Sequence, residues 1–140
     1  MQNIFSKINP KILIHVIYRY GEGELGKMNF FVPDKACLQV AAGVYFPIGH
    51  AFSGPHRHLP QDRNIKKTQE MFVLISGSIE VEMYDLDDKL IAKEILNPGD
   101  CYVYLGGGHG IKILTNDVFF YELKNGPYYG KEKDKFFIKN

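Results

Sequence analysis

The stretch "EMFVLISGSIEVEMYDLDDKLIAKEILNPGD", residues 70–100, decides the fold class. It opens with an apolar run, Met71 to Ile75, that Gly77 stops. Residues 78–85 then alternate, with Ile79, Val81 and Met83 on one face and Glu80, Glu82 and Tyr84 on the other. That period of two belongs to a strand with one face in a core. The acidic "DLDD" (85–88) is turn chemistry, so 78–85 and "KLIAKEIL" (89–96) read as a hairpin. "LIAKEIL" suits a helix by propensity, but its place between an acidic turn and "NPGD" favours a strand. In "NPGD" (97–100) proline fixes one backbone angle and glycine permits a positive one, a strong turn.

The same punctuation recurs outward. "KILIHVIYRY" (11–20) ends at Gly21, and "ACLQVAAGVYF" (36–46) is interrupted by Gly43. After the turn come "CYVYL", three glycines (106–108), "HGIKIL", the turn "TND" and "VFFYEL". Short strands every 8–12 residues predict an all-β sandwich or small barrel. The chain has 140 residues, 45% of them hydrophobic and 24% charged, which predicts one globular domain with a single core. No repeat, linker or low-complexity segment interrupts it. The N-terminal strand, 11–20, reads as exposed and open to pairing with another chain. The charged C-terminus "KEKDKFFIKN" offers Phe136, Phe137 and Ile138 to dock it or to make a subunit contact.

A formal net charge of +1 argues against broad binding to nucleic acid or anionic membranes through bulk electrostatics and leaves a local basic patch open. No apolar run is long enough to span a membrane and no signal peptide is evident, so the expected location is cytoplasmic. Cys37 and Cys101 are too few for a disulfide framework. One bridge is open to them, and reduced buried thiols are the simpler reading.

Just before the apolar run stands "GPHRHLPQDRNIKKTQ" (54–69). On an extended strand His56 and His58 face the same way, about 7 Å apart at Cα. Glu70 begins the apolar run, where an unpaired carboxylate is costly. Two imidazoles and a carboxylate aimed into an interior make sense around a positive charge. His109 follows the three glycines and shares a face with Ile111 and Ile113; glycines let backbone crowd a site. Arg57, Arg63, Lys66 and Lys67 form a basic loop, either solvated surface or a clamp for a phosphate or carboxylate. Glu122 beside Phe120 reads as a second acid/base or an exposed edge residue. Tyr45, Tyr102 and Tyr104 read as pocket walls or as packing. His15 and His50 carry no assigned role.

In this order His56, His58, Glu70 and Gly77, then Pro98-Gly99-Asp100 and Gly106 to His109, resemble the two motifs of the cupins, over roughly residues 40–125. The spacing departs from the family in the eleven residues between His58 and Glu70. The proline usual before the second-motif histidine is missing, and Ile113 stands where asparagine is usual. The resemblance implies a double-stranded β-helix (jelly-roll) barrel, one domain over 1–140 with its core at about 36–125, and a homodimer. It also implies His56, His58, Glu70 and His109 as ligands of one divalent metal. Imidazoles with a carboxylate suit Zn, Fe, Mn, Ni or Co. "TQEMFVLISGSIEVEMYD", "GGHG" and "GPYYGKEKDKFFI" are similar to short bacterial cupins, some of which accompany surface-polysaccharide and deoxysugar biosynthesis. The expected function is therefore a metal-binding cupin acting on a small polar molecule, a carbohydrate or sugar nucleotide, by isomerisation or epimerisation. The alternatives are a non-catalytic ligand-binding module, and an isomerase that uses histidine as general base without metal. The expected ligand-binding residues are Arg63, Lys66, Lys67, Tyr45 and Tyr104.

Overall fold

The alternating apolar pattern emerges as antiparallel sheet throughout. A computed structural model describes residues 1–33, 36, 38–49 and 53–139. Cys37 and His50 lie outside the described residues. The strands in chain order are β1 (Gln2–Phe5), β2 (Leu13–Tyr18), β3 (Met28–Phe30), β4 (Ala41–Gly43), β5 (Glu70–Ser76), β6 (Ile79–Tyr84), β7 (Leu90–Leu96), β8 (Cys101–Tyr104), β9 (Gly108–Ile113) and β10 (Phe119–Lys124). One helical turn, α1 (Lys131–Asp134), follows them. The protein is nearly all-β. Among the described residues no helix is long and apolar enough to cross a membrane.

The strands form a five-stranded sheet ordered β1-β2-β8-β5-β10, a three-stranded sheet ordered β7-β6-β9 and a small β3-β4 hairpin. The "EMFVLISG" run is β5 and the alternating segment is β6. "LIAKEIL" is the strand β7 and closes its hairpin with Ile79 opposite Leu96. Ile79, Val81 and Met83 are fully buried, as their alternation requires. They meet Ile17, Phe72, Leu74 and Tyr102 of the larger sheet, so the two sheets share one apolar interior. A second cluster lies on the other face of the larger sheet, where Val16, Tyr18, Cys101 and Val103 pack beneath Phe31, Val32 and Val40.

This two-sided burial explains "LIHVIY". Residues Ile14 to Ile17 of β2 are fully buried, and a strand covered on both faces reads as a continuous apolar run. It also corrects the expected exposed strand at 11–20. β2 is paired on both sides, with β1 through Gln2↔Ile17 and with β8 through Val16↔Val103. The edge is β1, a strand the sequence pattern did not announce. The 36–46 segment contributes only Ala41–Gly43, paired with β3.

The turn at 97–100 is held by Asp100. Its carboxylate accepts from the backbone N–H of Asn97 at 3.0 Å and of Tyr20 at 3.1 Å, and from Arg19 Nη1 at 2.8 Å. Cys101 is a buried free thiol, pushed up to about 12 by burial.

Candidate functional site

Cross-strand register aligns a polar row at one end of the larger sheet's inner face. His15 pairs with Tyr104, Tyr104 with Glu70, and Glu70 with Lys124. Directly opposed residues on antiparallel strands point to the same face. The next row inward is Ile17, Tyr102, Phe72 and Glu122, and then Leu74 with Phe120. The inner face therefore passes from this polar row toward the apolar interior, with Glu122 at its β10 edge. On the facing sheet, β9 sets His109 against Met83, pointing it toward this row.

Glu70 is 5% exposed and its carboxylate is fully engaged. Oε2 accepts from His109 Nε2 at 3.2 Å, and Oε1 lies 3.1 Å from Lys124 Nζ. Burial by itself would raise this carboxyl. The hydrogen bonds and charges of His109 and Lys124 outweigh it and hold the group down at about 2. Lys124 also pairs with Asp134 of α1. Burial would lower its ammonium, but Asp134 and Glu70 together raise it. In the neutral His109 ring, Nε2 donating to Glu70 leaves Nδ1 as the acceptor. The ring is packed by Tyr104 at 4.7 Å and edge-on by Phe72 at 5.8 Å between centroids. Tyr104 donates its hydroxyl hydrogen to the Gly107 carbonyl at 2.9 Å.

Glu70, His109, Tyr104 and Phe72 line a cleft of about 530 Å³, together with Thr68, Tyr84, Phe120, Glu122 and the C-terminal residues 134–138. Glu122, on the edge strand β10, borders the cleft beside Phe120 and is exposed. Tyr45 lies elsewhere, exposed, on a separate apolar groove of about 310 Å³ between the β3-β4 hairpin and the larger sheet. Tyr102 is wholly buried and serves packing and His15.

His56 and His58 lie in the irregular stretch that precedes β5, where both are exposed. Pro55 and Pro60 remove backbone donors on either side, so the expected strand does not form there. The two rings sit edge-on, 4.9 Å apart, and His56 Nδ1 is 2.9 Å from both Ser53 Oγ and the Gly54 carbonyl oxygen. Arg57, Arg63, Lys66 and Lys67 are exposed along the same stretch, which reaches the cleft rim at Thr68.

Of the four residues expected as metal ligands, the fold pairs Glu70 with His109. Among the described residues no three His, Cys, Asp or Glu side chains are grouped so as to hold a metal ion. As folded, the donors at Glu70 do not fit a divalent metal, because an ammonium already stands at the second carboxylate oxygen.

Three participants went unassigned in the sequence reading. Lys124 and Asp134 are ordinary charged residues until register and the chain's return bring them to Glu70. His15, 0% exposed, donates from Nε2 to the Tyr84 carbonyl at 3.1 Å and accepts at Nδ1 from the Tyr102 hydroxyl at 2.9 Å. Burial lowers it to about 4, so it is the neutral floor beneath Tyr104. Its place in an apolar, two-sided strand was the available signal.

Comparison with protein-family models, curated proteins and solved structures finds no match to this chain.

Proposed function

We propose that the cleft binds a small polar, carbohydrate-like molecule, and that His109 transfers a proton on it as general base and acid without a metal. The observation that carries this reading is the Glu70 carboxylate held between His109 Nε2 and Lys124 Nζ. A carboxylate that fixes one ring nitrogen orients the imidazole and leaves the other to exchange a proton. Aromatic rings around it offer apolar faces to a sugar ring. Isomerisation or epimerisation is the reaction type that needs only such proton movement. The order of the two sheets supports a jelly-roll barrel of cupin type as the scaffold.

A screen of sugars and sugar nucleotides by ligand-observed NMR tests the binding half. Wild-type protein is expected to bind, and Glu122→Lys, which puts a bulky cation in the cleft, to bind at least about tenfold more weakly. Binding unaffected by Glu122→Lys, or no binding by any sugar, overturns it.

A metal-dependent reading is favoured by one observation, the pairing of two of the four expected ligands. It requires the 53–69 stretch to bring His56 and His58 to Glu70 in place of Lys124. Added Zn²⁺ or Mn²⁺ would then raise the thermal midpoint in wild type and not in His56→Ala. An unchanged wild-type midpoint removes this reading.

The homodimer is proposed on different grounds from those first expected. The outer face of β5 and β10 exposes Ile75, Phe119, Tyr121 and Leu123 side by side. Sedimentation at micromolar concentration reads it directly, and a monomer contradicts it.

A further inference from the structure

The C-terminal segment returns across the mouth of the cleft and is fixed there at two points. At one end Asp134, on α1, pairs with Lys124, the same ammonium that holds Glu70. Asp134 and Lys124 side chains are only 10% and 18% exposed, so this ion pair is largely screened from water. At the other end Ile138 lies over Gly108 of β9. Ile138 Cδ1 packs into the space that a Cβ at residue 108 would occupy. Between these points Phe136 and Phe137 line the cleft, yet remain 76% and 71% exposed. A segment that merely docked by its apolar residues would bury those two rings. Instead the anchors are Asp134 and Ile138, and the rings are left facing the opening.

We propose that residues 130–139 form a wall of the ligand site, and that Asp134 is a positioning residue that acts through Lys124 on Glu70 and thence on His109. Lys124 is drawn from two sides. Without Asp134 the ammonium is left to Glu70 and to the face of the Tyr128 ring, 5.2 Å from its centroid, and it holds Glu70 Oε1 less firmly. The His109 hydrogen bond to Oε2 then loses its fixed acceptor. Resting on the carbohydrate reading above, Phe136 and Phe137 supply the apolar platform on which the C–H face of a sugar ring lies.

The test needs no ligand, so it succeeds or fails independently of that reading. Two signals are followed in the intact chain: trypsin cleavage at Lys131, Lys133 and Lys135, and the ¹⁵N-coupled ring N–H resonance of His109, assigned by its loss in His109→Gln. In wild type the cleavage is slow and the ring proton is protected from exchange. Asp134→Asn is expected to speed cleavage about tenfold, the signature of local opening, and to broaden the His109 signal away. Asp134→Glu is expected to restore both. Ile138→Ser, which removes the apolar side chain of the opposite anchor, is expected to speed cleavage in the same way. Faster cleavage with an undisturbed His109 signal in Asp134→Asn overturns the positioning role. Unchanged cleavage in both Asp134→Asn and Ile138→Ser overturns the wall.

Discussion

His15 and Glu70 stand in one cross-strand row, separated by Tyr104, yet acid reaches them in different windows. His15 is held neutral at about 4, below the ordinary 6.5. The unfolded chain therefore binds the extra proton first as pH falls. The stabilisation is complete above about pH 6.5, declines through the interval and is gone by about pH 4, a total of about 3 kcal/mol. Besides burial, the ring feels His109, which opposes its protonation, and the Tyr84 carbonyl and Asp85, which favour it. Glu70, depressed to about 2, contributes above its ordinary 4.5 and loses that contribution only toward pH 2. Urea titrations from pH 8 to 4.5 are expected to show wild-type stability falling below pH 6.5. His15→Gln, whose amide offers a donor and an acceptor to Tyr84 and Tyr102, is expected to flatten that slope. An equal slope in both proteins contradicts the buried neutral imidazole. At this scale Glu70 and His109 were legible in the sequence, because a carboxylate and an imidazole at the ends of apolar runs stand out against their neighbours. Lys124 and Asp134 were not, since nothing local distinguishes a site lysine from a solvated one.

Among the elements, the turn from β5 to β6, which carries the chain from the larger sheet to the smaller one, shows how one residue places a strand. Gly77 has φ near +74°, and a Cβ there would meet Val118 Cα and Thr115 Oγ1. Its turn brings Ile79, Val81 and Met83 onto the inner face, and so places β9 and His109, which pair with β6. Gly77→Ala is expected to lose about 1–3 kcal/mol of stability, measured by urea unfolding at pH 7.5. A loss under about 0.5 kcal/mol, the range of an ordinary surface change, contradicts a required left-handed glycine. Strands β5, β6 and β7 were readable because period, turn residues and glycine agreed over thirty residues. β1 and β3 were not. They are only 4 and 3 residues long, too short for any period to declare itself, and they exist because β2 and β4 offer them open edges. The extended-strand reading of His56 and His58 failed for a related reason: the alternation was real, but Pro55 and Pro60 remove ladder donors, and among the described residues no strand pairs with this stretch.

For the whole molecule, the account is of two sheets that enclose an apolar interior and open at one end into a polar row. Composition and alternation carry the all-β class, since only sheet packing buries that many alternating residues in a chain of this length. The layering does not follow from composition. It required knowing that β2 is covered on both faces, by the smaller sheet on one side and the β3-β4 hairpin on the other. The same closure brings residues far apart in sequence, Glu70, His109, Lys124 and Asp134, to one cleft. The central claim is that this cleft moves a proton on a sugar through His109. Its most direct measurement is the incorporation of solvent deuterium into carbon-bound positions of a sugar bound in D₂O, followed by NMR in wild type and in His109→Gln. The account predicts incorporation by wild type, and its loss by about 10²–10⁴-fold in His109→Gln with ligand still bound. Tight binding by wild type with no deuterium entering the sugar would contradict it and leave a binding module.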